Sequence, residues 1–314
     1  MSKEATTEQD AKRKSARDRA KVAREKLIER LDQEDETELA DKLRECGTPM
    51  SLVCICCGGQ KLAEVRCKRK WCPCCVRAIA AKRVSRYEAA VDAMRWPLFV
   101  TWTVPNSEAI DIGRVRWMRR GFGKLRAQNW WKKEVKGGIA SVEVTNIGNG
   151  WHPHLHSVID CRWLAVKTPP PKPFDTHRQL ESKFRQAATE VAERWARTLK
   201  VPVAKIKAKR AFTKNSPGEI PEGSTTIARE VLKYSVKTSD LLECEEPIGD
   251  LIRTLEQCRL VTSWGSCYGK KLTLPDDMRE PPPCTTCGAK RSLLPDLVVD
   301  RIVGRSREDR RRGR

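Results

Sequence analysis

The sequence predicts an α+β fold: an antiparallel sheet with helices on one face, joined to cysteine-rich metal-binding modules. Three observations carry this. Two strand-like runs, 139–147 and 151–156, flank the turn signal Asn146-Ile147-Gly148-Asn149-Gly150, which is a hairpin pattern. Strand chemistry is followed by helical segments rather than alternating with them, which favours an antiparallel over a parallel sheet. Cysteines recur as C-x2-C pairs at Cys54/Cys57, Cys72/Cys75 and Cys284/Cys287, a spacing that suits tetrahedral metal sites.

Taken in order, residues 1–45 are a charged arm without aromatics, read as a solvated helix or a disordered segment. A cysteine-rich module spans 46–90. The core spans 91–245 and a C-terminal segment spans 246–304, followed by a basic tail at 305–314. Within these, 78–94 reads as a basic helix and Pro97 to Val104, β-branched and aromatic, as a strand. Residues 114–136 are basic with Trp117, Phe122, Trp130 and Trp131 interleaved. Such a mixture stacks bases and binds phosphates, or it turns its aromatics to the core and its cations to water; both readings stand. Pro169-Pro170-Pro171-Lys172-Pro173 is a spacer. Residues 175–199 and 226–242 read as helices, with a flexible loop at 216–224 between them.

The chain has 314 residues and a formal net charge of +21, which points to a polyanionic partner, nucleic acid first. The plainer alternative is a basic protein that touches acidic partners or merely stays soluble. Lys132, Lys133, Lys205, Lys207, Lys209 and Arg210 are candidate DNA contacts. The N-terminus has no apolar h-region and no run is apolar enough to span a bilayer, so a cytoplasmic location without membrane contact is expected. In a reducing cytoplasm the 14 cysteines are better read as metal ligands than as disulfides. Cys54, Cys57, Cys72 and Cys75, with 14 residues between the pairs, approach zinc-ribbon spacing. Cys67, Cys74, Cys56 and Cys46 are nearby, which leaves the ligand set open. A site of four thiolates would hold structural Zn2+. Cys258, Cys267, Cys284 and Cys287 form a possible second zinc site.

Three of the four histidines alternate in Trp151-His152-Pro153-His154-Leu155-His156. On a strand His152, His154 and His156 share one face, and converging imidazoles suit a divalent cation. The preceding strand carries Ser141, Glu143 and Thr145 on one face, so the hairpin brings the Glu143 carboxylate near the histidines as a further candidate ligand. On the helix at 226–242, Glu230, Tyr234 and Lys237 share a stripe. A phenol beside an ammonium is a reasonable nucleophile setting. Taken alone, that stripe equally describes an ordinary amphipathic helix.

In combination the segments resemble the rolling-circle replication initiators of small bacterial plasmids, single-tyrosine members of the HUH endonucleases. Phe99 to Asn106 resembles the first motif of that family. His152-Pro153-His154-Leu155-His156 with Glu143-Val144-Thr145 resembles its metal motif, and Lys233-Tyr234 with Lys237 and Asp240 its catalytic motif. Cys67 to Cys75 resembles the cysteine-rich stretch that often precedes the core. The resemblance covers roughly 54–268. It implies an HUH endonuclease core in which His154 and His156, with either His152 or Glu143, hold Mg2+ or Mn2+. A borderline ion such as Mn2+ suits histidine ligands better than magnesium does. The resemblance further implies that Tyr234 attacks a phosphate, giving a 5′-phosphotyrosine link and a free 3′-hydroxyl. Glu230 would activate water at termination. The implied partners are single-stranded or hairpin DNA at a replication origin and the host helicase and polymerase. Two other readings are a mobilisation relaxase or single-tyrosine transposase with the same chemistry, and a zinc-ribbon nucleic-acid-binding protein without catalysis.

Overall fold

The computed structural model describes residues 3–146, 150–166, 178–211, 227–232, 238–270, 284, 286–288 and 293–295. The chain begins with α1 (Lys3–Gln33) and α2 (Thr37–Arg44), then a hairpin of β1 (Pro49–Cys54) and β2 (Gln60–Glu64), then α3 (Val76–Asp92). Next come β3 (Pro97–Thr103), α4 (Ile112–Ala127), α5 (Asn129–Glu134), β4 (Val135–Asn146) and β5 (Trp151–Cys161). They are followed by α6 (Arg162–Ala165), α7 (Arg178–Leu199), β6 (Ile206–Arg210), α8 (Ile227–Leu232), α9 (Thr238–Glu243), α10 (Gly249–Gln257), β7 (Val261–Gly265) and β8 (Leu293–Pro295). The flexible loop expected at 216–224 and the proline spacer lie outside the described residues.

Five strands form one antiparallel sheet in the order β6-β3-β5-β4-β7. The expected hairpin is β4 and β5, paired from Asn146↔Trp151 to Gly137↔Asp160. A bulge lies between Val135 and Gly137. At Gly138 an added Cβ would lie 2.6 Å from the Trp264 ring, so glycine there lets the indole lie against the strand.

Helices cover both faces of this sheet, not one. On one face Leu98, Val100, Trp102, Val142, Val144 and Leu155 pack beneath α4, α5, α7 and α10. At its centre Trp102, Phe122, Trp131, Trp195 and Trp264 meet edge to face or tilted, with centroids 5.4–6.4 Å apart. Trp195 Nε1 donates to Thr103 O at 2.8 Å, tying α7 to β3. On the other face, Phe99, Ile139 and Val158 pack with Tyr87, Val91 and Met94 near α3 and with Ala228, Val231 and Leu232 of α8. Coverage from both sides explains why β4 is buried almost along its whole length, where the alternation of Ser141, Glu143 and Thr145 with valines suggests one wet face.

The arm is helical, and its second half belongs to the core. Leu27 and Leu31 are fully buried. Arg30 donates to Leu241 O and Glu246 O, both at 2.8 Å, and Glu34 Oε2 accepts from Ile248 N at 2.8 Å. The helix expected over 226–242 is described in two pieces, α8 and α9; residues 233–237 lie outside the description, Tyr234 and Lys237 among them.

The cysteine module and the C-terminal segment do not separate as the sequence suggests. β1 lies between β2 and β8 in a three-stranded antiparallel sheet, with Leu52↔Pro295 and Cys54↔Leu293 in register. The loop 67–75 is anchored instead on α10. Lys70 Nζ donates to the carbonyls of Leu255, Glu256 and Cys258, and Arg69 and Trp71 both reach Glu256 Oε1. A cation on the last carbonyls of a helix satisfies acceptors that have no partner within the helix.

Candidate metal centre

The register of three strands builds the centre. Glu143 is the direct cross-strand partner of His154, and His156 is partnered by Ser141 on one side and Thr101 on the other. Direct partners in an antiparallel pair project to the same face, so the carboxylate and both imidazoles must converge. Glu143 Oε2 lies 3.2 Å from His154 Nε2 and 2.5 Å from His156 Nε2, and the two Nε2 atoms are 3.0 Å apart. Glu143 and His154 are buried, while His156 is partly open. The site thus has a closed floor and one accessible side.

Hydrogen bonds behind the rings fix which nitrogen faces inward. His154 Nδ1 lies 3.1 Å from the carbonyl of His152. A carbonyl only accepts, so Nδ1 donates to it, and Nε2 is the nitrogen turned toward Glu143 and His156. His156 Nδ1 lies 3.0 Å from Thr101 Oγ1, which leaves its Nε2 turned toward Glu143. Such outer partners orient metal-binding histidines. Burial pushes the Glu143 carboxyl up, but hydrogen bonds from His154 and His156 outweigh it and hold the group well below the usual carboxylate range. The donors suit a divalent cation: two imidazole nitrogens and an anionic oxygen, all within 4.8 Å of one another.

His152 is not part of this group. It shares the face, but its Nδ1 meets Asn106 Oδ1. Its pKa is lowered by burial first, then by His154 and Lys207. Of the two candidates for third ligand, the geometry brings in Glu143.

The sheet row continues past the centre to cations. Lys207 on the edge strand β6 is the cross-strand partner of Thr101, and Lys209 that of Phe99. Lys205, Lys207 and Lys209 are exposed, with Ile206 and Ala208 turned toward the opposite core. Lys132 and Lys133 are exposed on α5, across the sheet from the histidines. Arg210 closes β6 at a register position opposite Leu98. In the basic segment 114–136, the aromatics face inward: Trp131 and Phe122 are buried and Trp130 and Trp117 pack against that core.

Glu230 is exposed on α8. Through Ala228, Val231 and Leu232, α8 packs on the histidine-bearing face, in one cluster with Val158 and Ile139. Val158 is two residues along β5 from His156 and on the same face.

The cysteines assemble differently from their sequence pairing. One group is Cys46, Cys67, Cys72 and Cys75; the other is Cys54, Cys57, Cys284 and Cys287. The expected set of Cys54 and Cys57 with Cys72 and Cys75 is therefore split, because β1 and β2 carry the first pair toward β8 and away from the loop 67–75. Cys74 points its sulfur to Ala20 O at 3.6 Å. Cys258 and Cys267 are buried in the two cores, apart from Cys284 and Cys287. Cys46, nearby in sequence but outside the C-x2-C pairs, completes the first group. Both groups could hold a metal ion.

A family model described as a replication protein matches residues 60–286, well over half the chain. The chain belongs to this family, that of the rolling-circle plasmid replication initiators. The matched span of the replication protein includes β3, the Glu143–His154–His156 group, α8 and Tyr234. No curated protein and no solved structure matches it significantly. No helix among its described residues is long and apolar enough to cross a membrane.

Proposed function

We propose that this replication protein starts plasmid rolling-circle replication by nicking one DNA strand with Tyr234 as the nucleophile. The observation that carries the reading is the convergence of Glu143, His154 and His156 on the sheet face that α8 covers. Tyr234 follows the last residue of α8 by two positions, and two residues of chain reach at most about 7 Å. The reading takes the attacking residue to be one that follows closely in sequence on a helix packed on the histidine-bearing face.

Glu143, His154 and His156 would hold Mg2+ or Mn2+, and the cation when bound polarises the scissile phosphate. The chain's own groups do the rest. The exposed Lys205, Lys207 and Lys209 attract the phosphate backbone along the edge of the sheet. Lys237 favours the phenolate of Tyr234 electrostatically. The phenolate oxygen attacks phosphorus in line, and the bond from phosphorus to the 3′-oxygen breaks. The 3′-oxygen takes a proton and becomes the primer that a host polymerase extends. The phosphotyrosine ester retains the energy of the broken bond for strand joining. At termination Glu230 serves as general base for water, releasing the finished strand without a second tyrosine. A phenol must reach an exposed phosphate, so single-stranded or extruded hairpin DNA at the origin is the substrate.

A plasmid carrying the cognate origin tests this. Supercoiled DNA should be converted to the nicked circle only when Mn2+ or Mg2+ is supplied, and the nick should carry a free 3′-hydroxyl. Double-strand cuts, or nicking that persists in chelator, would contradict the proposal.

A further inference from the structure

We propose that the chain holds two separate tetrathiolate zinc sites, and that the second is a clasp fastening the C-terminal segment to the N-terminal hairpin. The first site is Cys46, Cys67, Cys72 and Cys75; the clasp is Cys54, Cys57, Cys284 and Cys287. The inference does not depend on the nicking chemistry.

Sulfur spacing is the first argument. A tetrahedral zinc with Zn–S bonds of about 2.3 Å sets its sulfurs about 3.8 Å apart. In the clasp, Cys54 and Cys287 are 3.7 Å apart and Cys57 and Cys284 are 3.6 Å apart. In the first site Cys46 lies 3.5 Å from Cys75 and 3.6 Å from Cys72, and Cys67 lies 3.8 Å from Cys75. Every one of these separations is far beyond a disulfide bond of about 2.05 Å.

The second argument is that the clasp is built from two matching halves. Each half reads C-x2-C-G, at Cys54-Cys57-Gly58 and at Cys284-Cys287-Gly288. In each, the glycine has positive φ, +71° and +70°, and its N–H donates to the carbonyl of the first cysteine at 2.8 Å. Backbone N–H groups also reach sulfur in both halves, Gly59 to Cys57 Sγ and Thr286 to Cys284 Sγ, each at 3.4 Å. Amide hydrogens on sulfur stabilise thiolate over thiol, the form that binds metal. Two independent turns, 227 residues apart between Cys57 and Cys284, share the glycine conformation and its bond to the first cysteine and present their sulfurs to one point.

Four thiolates, two imposed by each turn, leave no open coordination position, so the role is structural. On loading, the thiols release their protons and zinc takes up the sulfur lone pairs; no oxidant is involved. The pairing of β8 with β1 lies immediately beside the clasp. Zinc would therefore close residues 58–283 into a loop, with the core inside it.

The test uses the full chain purified under reducing conditions. Cobalt substitution reports sulfur-bound metal through thiolate-to-cobalt charge-transfer absorption. Differential alkylation with peptide mass spectrometry reports which cysteines are protected. Wild type should bind two sulfur-ligated cobalt ions per chain. Cys284→Ser with Cys287→Ser should halve the absorption and expose Cys54 and Cys57 to alkylation, leaving Cys46, Cys67, Cys72 and Cys75 protected. Cys54 and Cys57 staying protected in that variant would overturn the clasp and favour a ribbon closed within 46–77. A wild-type count of one would overturn it too. The altered residues lie near the end of the chain, and protection of the first site shows that the variant has folded.

Discussion

Glu143 and His154 face each other directly across the β4–β5 pair, with Glu143 Oε2 3.2 Å from His154 Nε2. This one pairing brings residues that are 11 positions apart into a group that could hold a metal ion. Glu143→Gln and His154→Ala should each abolish tight Mn2+ binding in calorimetric titration. Thr101→Val, which removes the partner of His156 Nδ1, should weaken binding about 10–100-fold. His152→Ala should leave affinity near that of wild type. A loss with His152→Ala as large as with Glu143→Gln would show that the wrong third ligand has been assigned.

The same carboxylate makes metal-free stability depend on pH. Its folded pKa is depressed by the two histidines despite burial, below the value of about 4.3 for a free glutamate. The stabilisation is therefore complete above about pH 4.3 and is lost as pH falls through the folded value. In chelator, the Tm advantage of wild type over Glu143→Gln should shrink steadily below about pH 4.3. A constant or widening gap would mean that the carboxylate is not held in its charged form.

Lysines on the two sides of the sheet should behave differently toward single-stranded DNA. Lys207 shares a row with His156 through Thr101. Lys207→Ala should lower affinity and reduce the slope of log K against log salt by about 0.7, one single-strand phosphate contact. Lys132→Ala with Lys133→Ala, on the helix layer across the sheet, should leave the slope unchanged. The reverse pattern in a salt titration would place the DNA on the other face.

Leu31 reads as part of a solvated arm in the sequence and is fully buried in the fold. Leu31→Ala should cost about 2–5 kcal/mol of stability in urea unfolding, as for a core leucine. A change within about 0.5 kcal/mol would be the mark of a surface position.

The legibility of the fold followed the range of the interactions. The β4–β5 hairpin, β3 and α3 were readable because alternation and turn residues act within a few positions. The histidine face was readable for the same reason: side chains two apart on a strand share a side whatever surrounds them. Burial of both faces of β4 was not, since it depends on α8 returning from about 90 residues later in the sequence. The buried end of α1 is hard to read because Leu27, Ile28 and Leu31 make a short apolar stripe in a long run of charges. C-x2-C spacing identified metal-binding turns but not their pairing, which the fold decides by bringing 284–287 to the first hairpin. Glu143 is a candidate from the hairpin alone; that it groups with His154 and His156 while His152 turns to Asn106 depends on the fold.

The most direct test of the nicking reading is a covalent-adduct assay. The protein is incubated with Mn2+ and an end-labelled single-stranded oligonucleotide from its origin, denatured, and resolved for label that migrates with protein. Wild type should carry the label. Tyr234→Phe and the His154→Ala, His156→Ala double variant should carry none, and Tyr234→Phe should still bind the oligonucleotide. An adduct that survives Tyr234→Phe, or wild-type protein that binds the origin strand and never becomes labelled, would contradict Tyr234 as the nucleophile.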